Sequence, residues 1–181
     1  AMDNTNIERH SDNYEMLSTE AALRGEVIAC RLRHLIYETT TIRKAEYLTS
    51  AGVMQGISVI EKDGILEITL PCLLPKKSKK HSCEYLTDPI YYTLSKYAQT
   101  HTLPKFRHCV VCFSYIYSRE LSPNRVRDYD NLELKQLFDV IATVVMEDDT
   151  GLLCDAYNTT EIGDGDCTRV SVMDKERFQG W

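Results

Sequence analysis

Two pairs of carboxylates carry the clearest chemical potential in this sequence. Asp128 and Asp130 stand two apart in Arg127-Asp128-Tyr129-Asp130-Asn131, and Asp148 and Asp149 follow further on. In extended backbone, residues i and i+2 point to the same side, so Asp128 and Asp130 could converge on one point. Carboxylate oxygens, with waters and substrate phosphates, hold hard divalent cations such as Mg²⁺. That makes Asp128, Asp130, Asp148 and Asp149 candidate metal ligands. Lys135 sits a helical turn beyond Asp130, next to Asp139. It is placed to neutralise charge on a phosphorane-like transition state or to protonate a leaving oxygen. The same residues have a second reading. Asp128 and Asp130 would cap a helix and favour its positive end, and Lys135–Asp139 would be a surface ion pair.

The element between the two acidic pairs has the clearest period in the chain. From Asn131 to Met146, Leu134, Leu137, Phe138, Ile141, Val144 and Val145 fall on one helical face. A helix of about 16 residues is about 24 Å long, so its ends meet only if the chain folds back alongside it. Upstream, a helix is expected from about Asn13 to Tyr37, followed by a shorter helix or loop to Gly52. Ile57 and Val59, then Leu66, Ile68 and Leu70, alternate about Lys62-Asp63-Gly64, which predicts a hairpin. Thr87-Asp88-Pro89 reads as a cap with proline at the first helical position, opening a helix to Thr100. The β-branched and aromatic run from Arg107 to Tyr117 predicts a buried strand. Two further strands are expected at 152–162 and 168–173, with Gly163-Asp164-Gly165 as the turn between them. The sum is an α+β fold: one small mixed or antiparallel sheet packed by helices, with a helical N-terminal extension.

Bulk properties narrow the function classes. The chain has 181 residues, 43% of them hydrophobic, which suits one domain with an appendage. No apolar run approaches the roughly 18 residues of a membrane span, and no secretory signal opens the sequence. Seven cysteines without scaffold-like spacing predict reduced thiols and a cytoplasmic location. The formal charge of −6 argues against a protein that coats nucleic acid by charge alone. The charge is unevenly spread, however. Seven basic and two acidic residues lie between Lys76 and Arg107, while seven acidic residues and no Lys or Arg lie between Val144 and Asp166. The loop containing Lys76, Lys77, Lys79 and Lys80, with Arg125 and Arg127, could grip phosphates or could be a solvated face.

The order of these elements resembles the signature of RusA-type Holliday junction resolvases. Pro123 to Leu132 contains the D-x-D-N element, Phe138-Asp139-Val140-Ile141 resembles the family's F-D-A-L-like segment, and Asp148-Asp149 matches its acidic pair. Ile65 to Pro75 and the lysine loop resemble the family's opening strand and basic loop, so the likeness covers roughly residues 64–174. The chain then divides into a helical extension at 1–55, expected from its own apolar stripe, a RusA-like α+β domain at 56–174 and a tail at 175–181. Asp128, Asp130 and Asp149 would be catalytic metal-binding carboxylates, with Asp148 their neighbour and Lys135 assisting. The implied protein is a homodimeric endonuclease using Mg²⁺, with Mn²⁺ as the substitute, to hydrolyse phosphodiesters at a four-way DNA junction. The alternative is an inactive nucleic-acid-binding or protein-interaction module on the same fold.

Cys109 and Cys112 form a C-x-x-C, but they lie within the strand, where i and i+3 face opposite sides. They are expected to be structural thiols rather than a metal or redox site.

Overall fold

The chain divides into two units, residues 1–44 and residues 45–181. The computed structural model describes residues 11–77, 83–103, 105–120, 124 and 126–179. The first unit contains one long helix, α1 (Ser11–Thr39). From residue 16 onward its side chains are exposed or half-buried, and none is buried.

The second unit is α+β, a five-stranded mixed sheet with helices. Helix α2 (Lys44–Gln55) leads into the strands β1 (Ser58–Lys62) and β2 (Ile65–Leu70). These form the expected hairpin, antiparallel with Val59 opposite Ile68. Asp63 and Gly64 take φ of 54° and 73°, the left-handed pair that matches a two-residue turn to strand twist. Helix α3 (Glu84–Thr100) and strand β3 (Cys109–Ser118) follow. Helix α4 (Lys135–Val145), strands β4 (Cys154–Gly163) and β5 (Cys167–Asp174) and the short helix α5 (Lys175–Phe178) complete the unit.

The strand order is β1-β2-β5-β3-β4. β5 runs antiparallel to both β2 and β3, while β4 runs parallel to β3 along ten residues, from Cys109 opposite Cys154 to Ser118 opposite Gly163. The two C-terminal strands therefore do not pair with each other; β3 lies between them.

One face of the sheet carries Leu66, Ile68 and Leu70, then Val170 and Val172, then Val111, Phe113 and Tyr115. They pack with Ile90 and Leu94 of α3 and Leu137 and Ile141 of α4 as one buried core. Each such side chain contributes about 1.5–3 kcal/mol when fully buried. Cys109 lies in this core while Cys112 alternates to the opposite face, and all seven cysteines are free thiols.

Helix boundaries moved where proline and capping chemistry were decisive. α3 begins at Glu84 and contains Pro89 in its interior. Thr87 does not cap it; its hydroxyl donates back to the carbonyl of Cys83 at 3.1 Å.

Candidate functional site

The acidic stretch expected to open α4 does not do so. Tyr129–Asn131 form one 3-10 turn, and α4 starts only at Lys135, with no side-chain cap at either element. Asp128 remains extended, with φ −64° and ψ 142°. Asp130 lies inside the turn, so the same-side alternation of extended backbone is broken between them. Both are exposed. Asp148 and Asp149 lie past the far end of α4, a helix of 11 residues and therefore about 16 Å long. Asp148 accepts from the backbone N–H of Thr150 at 3.3 Å, a local turn contact. Among the described residues, no group of three or more His, Cys, Asp or Glu side chains is arranged to hold a metal ion.

Lys135 pairs with Asp139 at 3.0 Å on the exposed side of α4. Lys79, Lys80 and Arg125 lie outside the described residues. The backbone N–H of Arg127 donates to the hydroxyl of Tyr117 at 3.2 Å.

The structure does bring part of the lysine loop to Asp130. The chain at 75–77 runs antiparallel beside 131–133. The N–H of Lys77 donates to the carbonyl of Asn131 at 2.8 Å, and the N–H of Glu133 donates to the carbonyl of Pro75 at 2.9 Å. Lys77, Asp130 and Lys135 consequently rim one groove of about 340 Å³, whose walls include Leu132, Leu134 and Phe138. The groove is apolar with a charged mouth. It also touches Ala156 of β4, so it runs against the edge of the sheet.

That edge is the feature the sequence did not disclose. β4 pairs with β3 on one side, and among the described residues no strand pairs with its other side. The opposite edge strand, β1, has five residues, whereas β4 has ten. Ala156, Tyr157, Thr160, Glu161 and Ile162 of β4 are exposed. Tyr129 braces the groove side: its ring stacks on Tyr115 with centroids 5.6 Å apart, and its hydroxyl lies 3.0 Å from that of Thr160. A periodicity of two was visible in 154–162, but it does not distinguish an interior from an edge strand.

The model of a family described only as being of unknown function (DUF6100) matches residues 1–181, and the chain belongs to that family. No curated protein matches. Solved structures with some likeness include the periplasmic domain of Helicobacter pylori MotB, at 10% identity and TM-score 0.38 over 70% of this chain and 86% of that one. A MotB-like protein from Desulfovibrio vulgaris has 12% identity and TM-score 0.38 over 80% and 96%. The cell wall anchor of the T6SS from Pseudomonas aeruginosa has 11% identity and TM-score 0.40 over 74% and 98%.

These findings overturn the resemblance to RusA-type resolvases. The family model that spans the whole chain is not that of the RusA-type resolvases but of a different family. The RusA-like assignment of the α+β domain falls with it. So do the Holliday-junction endonuclease, its roles in DNA recombination and repair, the homodimer on junction DNA and the cytoplasmic placement.

Proposed function

We propose that this chain is a protein-interaction module that accepts an extended segment of a partner protein as a sixth strand on β4. The observation that carries the proposal is the ten-residue outer edge of β4 lying directly against an apolar groove. An open strand edge offers a row of backbone donors and acceptors, and a neighbouring pocket reads alternate side chains of the added strand.

The edge also favours a particular partner. Residues 144–166 contain seven carboxylates and no Lys or Arg. In the antiparallel pairing of two β4 strands centred on Asn158, Asp155 would face Glu161, and like charges directly opposite are unfavourable. A basic strand has the reverse relationship. Its apolar residues would enter the groove beside Phe138 and Leu134, and its alternate Lys or Arg residues would lie beside Tyr157 and Glu161 on the other face.

An end-blocked octapeptide of alternating Lys and Val tests this by calorimetry and backbone amide NMR. Binding is expected with a Kd on the order of tens of micromolar, with the amide perturbations centred on β4. The Ala156→Lys variant, which puts a charge into the groove, should weaken binding about tenfold. A Glu/Val peptide should bind at least as weakly as that variant does. Equal binding of both peptides, or perturbations confined to β1, would overturn the proposal.

A further inference from the structure

The face of the sheet opposite the core carries a second feature. The central strands present small polar side chains there: Cys112 and Ser114 on β3, Cys167 and Ser171 on β5. Ser114 and Ser171 are each 3% exposed. Register sets Ser114 beside Arg169 and Thr159, and Ser171 beside Glu67. Small side chains in the middle and long ones at the flanks leave a hollow of about 440 Å³, within the size range of small-ligand pockets.

The lining of this hollow is electrically balanced. Lys62, Arg169 and Arg177 bring three positive charges, and Asp63, Glu67 and Glu161 bring three negative ones. Only one ion pair is formed among them: Arg169 Nε stands 3.6 Å from Glu67 Oε2. That Nε is shielded from solvent and has no hydrogen-bond partner, a costly condition for a charged donor. Among the described residues, Lys62, Arg177 and Glu161 have no ion-pair partner. The floor is already organised, since Thr159 Oγ1 donates to Ser114 Oγ at 2.9 Å.

We infer that this hollow binds a small zwitterion of the amino-acid or dipeptide class. The carboxylate would lie on Arg169 and Arg177, and the ammonium on Glu161. A simple anion would meet three carboxylates, and a simple cation would meet three bases. A neutral apolar molecule would leave the charges of Lys62, Arg177 and Glu161 without a partner. A zwitterion is the charge pattern that satisfies both signs.

Glycylglycine is the probe, with acetate and methylammonium as its separate halves. Thermal unfolding and calorimetric titration are the readouts. At about ten millimolar, glycylglycine should raise the melting temperature and show saturable one-site binding, while neither half does so at the same concentration. Arg177→Gln and Glu161→Gln should each weaken binding at least fivefold and leave the melting temperature of the free protein unchanged. Both positions are on the rim rather than in the core, so loss of fold would not mimic loss of binding. No saturable binding of glycylglycine would overturn the inference. So would equal stabilisation by acetate alone, or unchanged affinity in both variants. The end-blocked Lys/Val peptide presents no zwitterion, so failure here is distinct from failure at the β4 edge.

Discussion

The side-chain amide of Gln55 donates to the backbone carbonyl of Tyr85 at 3.4 Å, and Tyr85 is the residue four before Pro89. A proline inside a helix removes the N–H that would bond the carbonyl at i−4. Here the end of α2 supplies a donor to that freed carbonyl. Gln55→Leu is therefore expected to lower stability by about 0.5–1.5 kcal/mol. In a Pro89→Ala background, where an N–H can return, the same exchange should cost less. Urea denaturation of the four proteins of this cycle measures the coupling, and additivity of the two exchanges would contradict the account.

The same helix pair depends on Gly52. A Cβ at this position would land on the hydroxyl of Thr93 and lie 3.2 Å from the carbonyl oxygen of Pro89. Gly52→Ala should destabilise by about 1–3 kcal/mol, the usual cost of overpacking, despite alanine's better helix propensity. Gly52→Ala combined with Thr93→Ala should recover part of the loss. Thermal melts of both variants provide the comparison.

Alkaline pH should weaken the fold. Burial pushes the Tyr115 hydroxyl above its ordinary value of 10.0, with the Tyr129 and Tyr117 charges adding to it. A hydrogen bond shared with Cys154, then burial, pushes the Cys109 thiol above 9.0, and burial raises Cys112 and Cys167. Cys154 moves the other way, held down by the bond from Cys109. For each raised group the folded state keeps a proton that the unfolded chain releases. The stability they contribute is complete below about pH 9 and is lost as pH rises toward the folded values, at about 1.4 kcal/mol per pH unit for each proton. The urea midpoint should fall steadily from pH 8.5 to 10.5. A flat midpoint would show that these groups ionise freely in the folded protein.

Lys135 and Asp139 should behave as an ordinary surface pair. Their side chains are 81% and 47% exposed, and pairs of this kind couple by about 0.3–0.5 kcal/mol on a helix. A double-mutant cycle with alanine at both positions, read in low and 0.5 M salt, should give a coupling of that size that shrinks with salt. A coupling above about 1 kcal/mol would assign the lysine a larger role.

Local chemistry made most elements legible in the sequence. The alternation of Leu66, Ile68 and Leu70, the Asp63-Gly64 turn and the stripe from Leu134 to Val145 each follow from side-chain period and backbone preference, and each is present. The errors arose where position in the fold decides. Proline favours the first helical turn, which predicts a helix start at Pro89, but Gln55, 34 residues earlier, makes an interior proline tolerable. Extended backbone would put Asp128 and Asp130 on one side, but the 3-10 turn at Tyr129–Asn131 breaks that alternation. The ion pair of Lys135 with Asp139 was readable from spacing alone. The groove rimmed by Lys77, Asp130 and Lys135 was not, because it depends on the chain at 75–77 hydrogen-bonding across to 131–133. The open edge of β4 depends on strand order, which no local pattern records.

The central position of β5 has a consequence for how this protein is made. β2 and β3 are adjacent in chain order, yet they are joined in the sheet only through β5. Leu70 pairs with Thr168, 98 residues later (168 − 70 = 98). While a ribosome adds those residues, at about 5–20 per second, Leu66, Ile68 and Leu70 have no strand on their second side. For several seconds the nascent chain carries an apolar hairpin and β3 without the strand that unites them. Pairings so distant in sequence also make closure slow. The sheet can therefore assemble only after residues 167–174 emerge, so its closure waits on the last strand of the unit.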